Sequence, residues 1–143
     1  MFSPSSDDVR DFFVEAARKR GSGLPLTPLE TIAADWIEAH PEYAADLADA
    51  EAARAAVYAA GAGRENPFLH LSMHLSISEQ IAIDQPVGIR PAFASLAARL
   101  GSAHAAQHEV MECLGTMLWE AQRGGRPPDG AMYVDCVRRR ATR

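Results

Sequence analysis

Nowhere in this 143-residue chain is there an apolar stretch long enough to cross a bilayer, so a membrane partner is not expected. The opening MFSPSSDDVRDFF lacks the basic start and apolar middle of a signal peptide, which makes a cytoplasmic location the expectation. Cysteine is scarce: Cys113 and Cys136 are too few and too far apart for a disulfide framework or a CxxC redox motif, and both are expected as reduced residues facing a core. Basic charge is short as well. A formal net charge of -5 argues against nucleic acid as a partner, because phosphate binding needs a basic face. The local exception is the closing VRRRATR, where Arg138, Arg139, Arg140 and Arg143 read as a solvated tail. No GxSxG, phosphate-binding loop or Cys-His nucleophile signature occurs, which disfavours the familiar hydrolase and nucleotide chemistries. A protein partner or a second copy of the chain is the partner class left open.

What is present describes an ordinary globular chain. Hydrophobic residues make up 48% and charged residues 23%, which excludes a disordered polymer. The length suits one domain, 1–143, with N-terminal helices over 5–65 and histidine-bearing helices over 66–140. Helix signals recur along the chain and strand alternation does not, so the expected fold is an all-α bundle of about six helices.

The helix ends carry the clearest marks. SSDDVRDFFVEAARKRG has acid at its start, base at its end and Gly21 as its stop. In TPLETIAADWIEAHP, Thr27 caps, Pro28 suits the first helical position, Glu30 completes a capping box and Pro41 ends the run, with Ile32, Trp36 and Ile37 on one core-facing side. The alanine-rich PEYAADLADAEAARAAVYAAGAGRE reads as helix by propensity alone, fraying into GAGRE. Asn66 and Pro67 open the next helix, which runs to the turn at Pro86 and Gly88. IRPAFASLAARL follows and stops at Gly101; Ser102 caps a long helix ending at Gly124 and Gly125, and Asp129 caps a last one bearing Tyr133 and Val137.

The chain has five histidines, and four of them form two HxxxH pairs: HLSMH, with His70 and His74, and HAAQH, with His104 and His108. At about 100° per residue each pair shares one helix face. His70 and His74 align with Ile77 and Ile81, in apolar surroundings. His104 and His108 sit at the edge of a stripe centred on Met111, Leu114, Met117, Leu118 and Ala121, and Glu112 extends that edge to give HxxxHxxxE. Cys113 falls on the opposite side and is not counted as a ligand. If IRPAFASLAARL runs back between the two histidine-bearing helices, these lie parallel, and the pairs, both in first turns, meet at one end of the bundle. A transition metal takes the neutral imidazole, the form favoured by burial and by a helix N-terminus.

The candidate metal ligands are therefore His70, His74, His104, His108 and Glu112, with Glu79 and Glu109 as weaker carboxylates, and zinc or iron as the suspected ion. No catalytic residue is assigned. With an open coordination position Glu112 would serve as ligand or base, and Met111 and Trp119 would shield the pocket or simply fill the core. The competing reading is a non-catalytic interaction module with a buried histidine network, its partner surface at the WEAQRGGRPPD corner. His40, before Pro41, is expected on terminal helix carbonyls, with a smaller chance of reaching the site.

NPFLHLSMHLSISEQ, PVGIR, HAAQHEVMECLGTMLWEAQR and PPDGAMYVDC together resemble a proteobacterial family known as domain of unknown function 1841. The resemblance covers essentially the whole chain and is densest from Asn66 to Cys136. It implies a small bacterial protein without an assigned activity, whose polar pattern matches His70, His74, His104, His108 and Glu112. Gln107 stands where the family pattern implies an acidic residue.

Overall fold

The structure is a computed structural model that describes residues 5–58 and 65–142. Among them are seven α-helices and one short 3-10 turn, and no strand. The chain divides into two compact units, Met1–Leu75 and Ser76–Arg143, with the division falling inside the fourth helix.

In the first unit, α1 (Ser6–Gly21) packs against α2 (Pro28–Glu38) and α3 (Ala50–Ala55). Both expected N-terminal caps form. Ser5 and Asp8 close one capping box, and Thr27 and Glu30 close the other, each satisfying backbone N–H groups that have no partner inside the helix. Lys19 of α1 reaches the same Glu30 carboxylate at 2.9 Å, tying α1 to the start of α2. The Glu30 carboxyl is held below its ordinary 4.5, first by the Thr27 backbone N–H and then by Lys19. Its contribution to stability is therefore complete above pH 4.5 and disappears as pH falls through the lowered folded value. Thr27→Ala is expected to cost about 1 kcal/mol. A lower urea midpoint at unchanged slope is the sign to look for, and an unmoved midpoint would remove the cap from the account.

The core of this unit gathers Phe13, Val14 and Ala16 of α1, Ala33 of α2, Tyr43, Leu47 and Ala53, with Phe68 and Leu71 of α4 (Pro67–Ile83). Trp36 and Ile37 pack against it, as the face of α2 predicts. The alanine-rich segment departs from expectation. It forms a 3-10 turn at Pro41–Tyr43, a bent stretch, and only six residues of helix. Two contacts account for the shortening. The Asp49 side chain accepts from Glu51 N–H and starts α3 late; Arg10 donates to the carbonyls of Ala53 and Ala56, both at 2.7 Å, and closes it early. Alanine propensity supplies no apolar stripe to override such contacts. GAGR, the expected frayed connection, lies outside the described residues.

In the second unit, α5 (Ile89–Leu100), α6 (Ala103–Gly124) and α7 (Gly130–Ala141) pack pairwise. Ile89, Leu96, Val110, Leu114, Tyr133, Val134 and Val137 form their shared interior. The C-terminal half of α4 joins them through Tyr133 donating to Gln80 Oε1 at 2.6 Å and Gln107 donating to Ser78 Oγ at 3.1 Å. Ser102 and Asp129 cap α6 and α7 as expected. Gly101 and Gly125 take left-handed conformations, at φ 70° and 63°, where a glycine is least strained.

Two expectations fail here. Cys113 and Cys136 are joined in a disulfide that links α6 to α7, so neither is a reduced core thiol. Their separation of 23 residues hides a Cα–Cα distance of 5.9 Å, which packing of the two helices creates. The scarcity of cysteine therefore gives no ground for a reducing compartment. Trp119 is 57% exposed and lies beneath the Arg123 guanidinium, so it is not core. The buried side of α6 runs through Ala106, Val110, Cys113, Leu114 and Met117.

Candidate metal centre

Three histidines of the first unit meet at their Nε2 atoms. α4 begins where Asn66 accepts from the backbone N–H groups of Phe68 and Leu69, and its i, i+4 register sets His70 and His74 on one side. α2 ends at Glu38, and the chain turns at His40 before Pro41, which cannot continue the helix. That turn brings His40 between the other two. His40 Nε2 lies 3.2 Å from His70 Nε2 and 3.3 Å from His74 Nε2. His74 is fully buried and His40 is 3% exposed.

The surrounding groups orient each ring. His40 Nδ1 lies 2.8 Å from the Trp36 carbonyl, and because a carbonyl only accepts, this nitrogen carries the proton. In a neutral ring this tautomer leaves the lone pair on Nε2. The Trp36 indole stacks on His74 with centroids 3.8 Å apart, and Tyr43 stacks on His40 at 5.2 Å. His70 Nδ1 lies 2.8 Å from Glu65 Oε1, while the Tyr43 hydroxyl donates to Glu65 Oε2 at 3.3 Å. Burial, and then the Glu65 charge, push the Tyr43 phenol up, so it remains a donor.

The two Nε2 separations about His40 are of the size a metal ion would need. Zinc–imidazole bonds of 2.0–2.1 Å at tetrahedral angles separate two ligating nitrogens by about 3.3 Å. The Nε2 separations from His40, 3.2 and 3.3 Å, match that figure. An N–H···N hydrogen bond has a similar length, so distance alone also admits a hydrogen-bonded network.

In the second unit, His104 and His108 adjoin on α6 with ring centroids 4.5 Å apart, His104 half-buried and His108 exposed. Glu112, one turn on, is exposed and ion-paired with Arg140 at 2.8 Å; Arg140 also lies 3.5 Å from Glu109. Gln107 is buried on Ser78, so the amide at this position completes a hydrogen bond between α6 and α4. Glu79 is exposed. At the WEAQRGGRPPD corner a surface groove of about 510 Å³ is lined by residues including Met117, Met132, Arg123 and Arg126. His40 was placed by its expected carbonyl contact, and the sequence signal for its second role was only a histidine held at a helix end by Pro41. Glu65 carried no signal beyond standing five residues before His70.

The protein is thus an all-α chain whose first unit assembles a three-histidine cluster, with His40 and His74 buried and His70 partly so. It belongs to the family described as Domain of unknown function (DUF1841), whose family model matches residues 5–139. No curated protein matches the chain. No solved structure matches it either. No helix among the described residues is long and apolar enough to cross a membrane.

Proposed function

We propose that this protein binds a transition-metal ion, zinc or iron, through His40, His70 and His74, without an assigned reaction. The observation that carries the reading is the meeting of three imidazole Nε2 atoms about His40, whose other nitrogen is committed to the Trp36 carbonyl. Neutral nitrogen donors suit zinc, iron, copper or nickel rather than magnesium or calcium, which prefer oxygen. The second HxxxH pair, His104 and His108, and the carboxylate of Glu112 remain proposed metal ligands on α6 of the second unit. Glu112 would have to leave Arg140 to take that role.

Elemental analysis of protein purified without a histidine tag tests the binding directly. Near-stoichiometric zinc or iron is expected, lost in a His40→Ala, His70→Ala double variant. His104→Ala, His108→Ala protein separately measures what the second pair adds: weaker retention against a chelator supports its inclusion, and unchanged retention removes it.

A second reading has its own support. Leu118 and Trp119 are 48% and 57% exposed on α6, beside the groove of the second unit, which favours a non-catalytic interaction module with a hydrogen-bonded histidine network. Metal-free protein with unchanged thermal stability in chelator would favour it.

A further inference from the structure

Resting on that metal-binding reading, we infer that Glu65 is a positioning residue: its carboxylate holds the proton of His70 on Nδ1 and leaves Nε2 as a lone pair aimed at the shared centre.

The inference follows from donors and acceptors. An ionised carboxylate only accepts, so the 2.8 Å contact with Glu65 Oε1 places a proton on His70 Nδ1. The Trp36 carbonyl does the same for His40 Nδ1. If both rings are neutral, both Nε2 atoms are acceptors 3.2 Å apart, and either a metal ion or an added proton has to bridge them. Two lone pairs at that distance repel unless a cation lies between them. A metal relieves the repulsion and uses both lone pairs. His74 completes the set on the other side of His40. A carboxylate behind a ligating histidine is a recurrent device of metal sites, because it fixes the ring, selects its tautomer and raises its basicity. Tyr43 steadies the device by donating to the second Glu65 oxygen. Glu65 itself is 63% exposed, so its removal leaves no cavity and its effect on folding is small.

The test pairs two readings on the full chain. Nitrogen-15 NMR of metal-free protein at neutral pH reports which His70 nitrogen is protonated, and competition with a chromophoric chelator reports zinc affinity, with magnesium as the control ion. Wild-type His70 is expected with its proton on Nδ1. Glu65→Ala is expected to move that proton to Nε2 and to weaken zinc binding by about 10- to 100-fold. Glu65→Gln, whose amide oxygen still accepts, is expected to restore most of the affinity. Tyr43→Phe is expected to have the smaller effect of the two neighbours. A proton on Nε2 of His70 in the wild type, or zinc affinity equal in wild type and Glu65→Ala, would overturn the role of Glu65. If the wild type binds no zinc or iron while the His70 proton sits on Nδ1, the metal reading fails and the orienting role of Glu65 stands.

Discussion

Zinc at a thousand times its dissociation constant is expected to raise the melting temperature by about 13 °C, and His40→Ala is expected to reduce that rise to about 4 °C or less. Binding only to the folded chain at that excess stabilises it by about 4 kcal/mol, and a domain of this length shifts by about 3 °C for each kcal/mol. Structural zinc bound by four protein ligands contributes about 10–16 kcal/mol, so one ligand accounts for roughly 3–4 kcal/mol, or at least a hundredfold in affinity. Losing that share at fixed zinc leaves the ion at no more than about ten times the raised dissociation constant, which stabilises the fold by about 1.4 kcal/mol or less. His40 is the appropriate residue because its Nε2 is the one within 3.3 Å of both partners. Its truncation also destabilises the metal-free protein under either reading, since the side chain is buried. The decisive quantity is therefore the difference between melting temperatures with and without zinc, measured for each protein. A His40→Ala variant with the full zinc-induced rise would sink the centre as described.

Replacing both cysteines, Cys113→Ala with Cys136→Ala, is expected to cost about 3 kcal/mol and lower the melting temperature by about 10 °C. The estimate follows from the chain closed by the bond, a sequence separation of 23 residues, whose freedom the disulfide removes from the unfolded state. Treatment of the wild type with a thiol reductant is expected to reproduce most of the loss. The α5, α6 and α7 interior remains apolar and buried in either case, so the variant is expected to fold and simply melt earlier. Two titratable thiols in native protein kept under air, or a double variant as stable as the oxidised wild type, would refute the crosslink as a stabilising element.

The two residues with the largest consequences, His40 and Cys136, were the hardest to read in advance, and for one reason. His70 and His74 declare themselves because a helix repeats every 3.6 residues, so a spacing of four is already a geometric statement. His40 lies 30 residues before His70, and no local rule connects them. It is the packing of α2 and α4 on a common core that closes the distance, through Trp36 on one side and Leu71 on the other. Cys113 and Cys136 sit on different helices in the same way. Trp119 failed for a related reason. Helical periodicity gives the direction of an apolar stripe to within a residue or so, and the buried side of α6 centres on Val110, Cys113 and Leu114, leaving Leu118 and Trp119 beyond its edge.

The positions of the helices, by contrast, follow from interactions that span four residues or fewer. Thr27 meeting Glu30, Asn66 meeting Phe68 and Leu69, Ser102 meeting Ala105 and Asp129 meeting Met132 are all decided before any helix finds a neighbour. Hence the all-α class, the starts of α1, α2, α4, α6 and α7, and both histidine pairs were determined by the amino-acid order alone. The early end of α3, the disulfide and the place of His40 among the imidazoles were decided only by tertiary structure. Each of these depends on side chains that are distant along the chain and adjacent in space, and adjacency of that kind arises only when apolar faces bury one another.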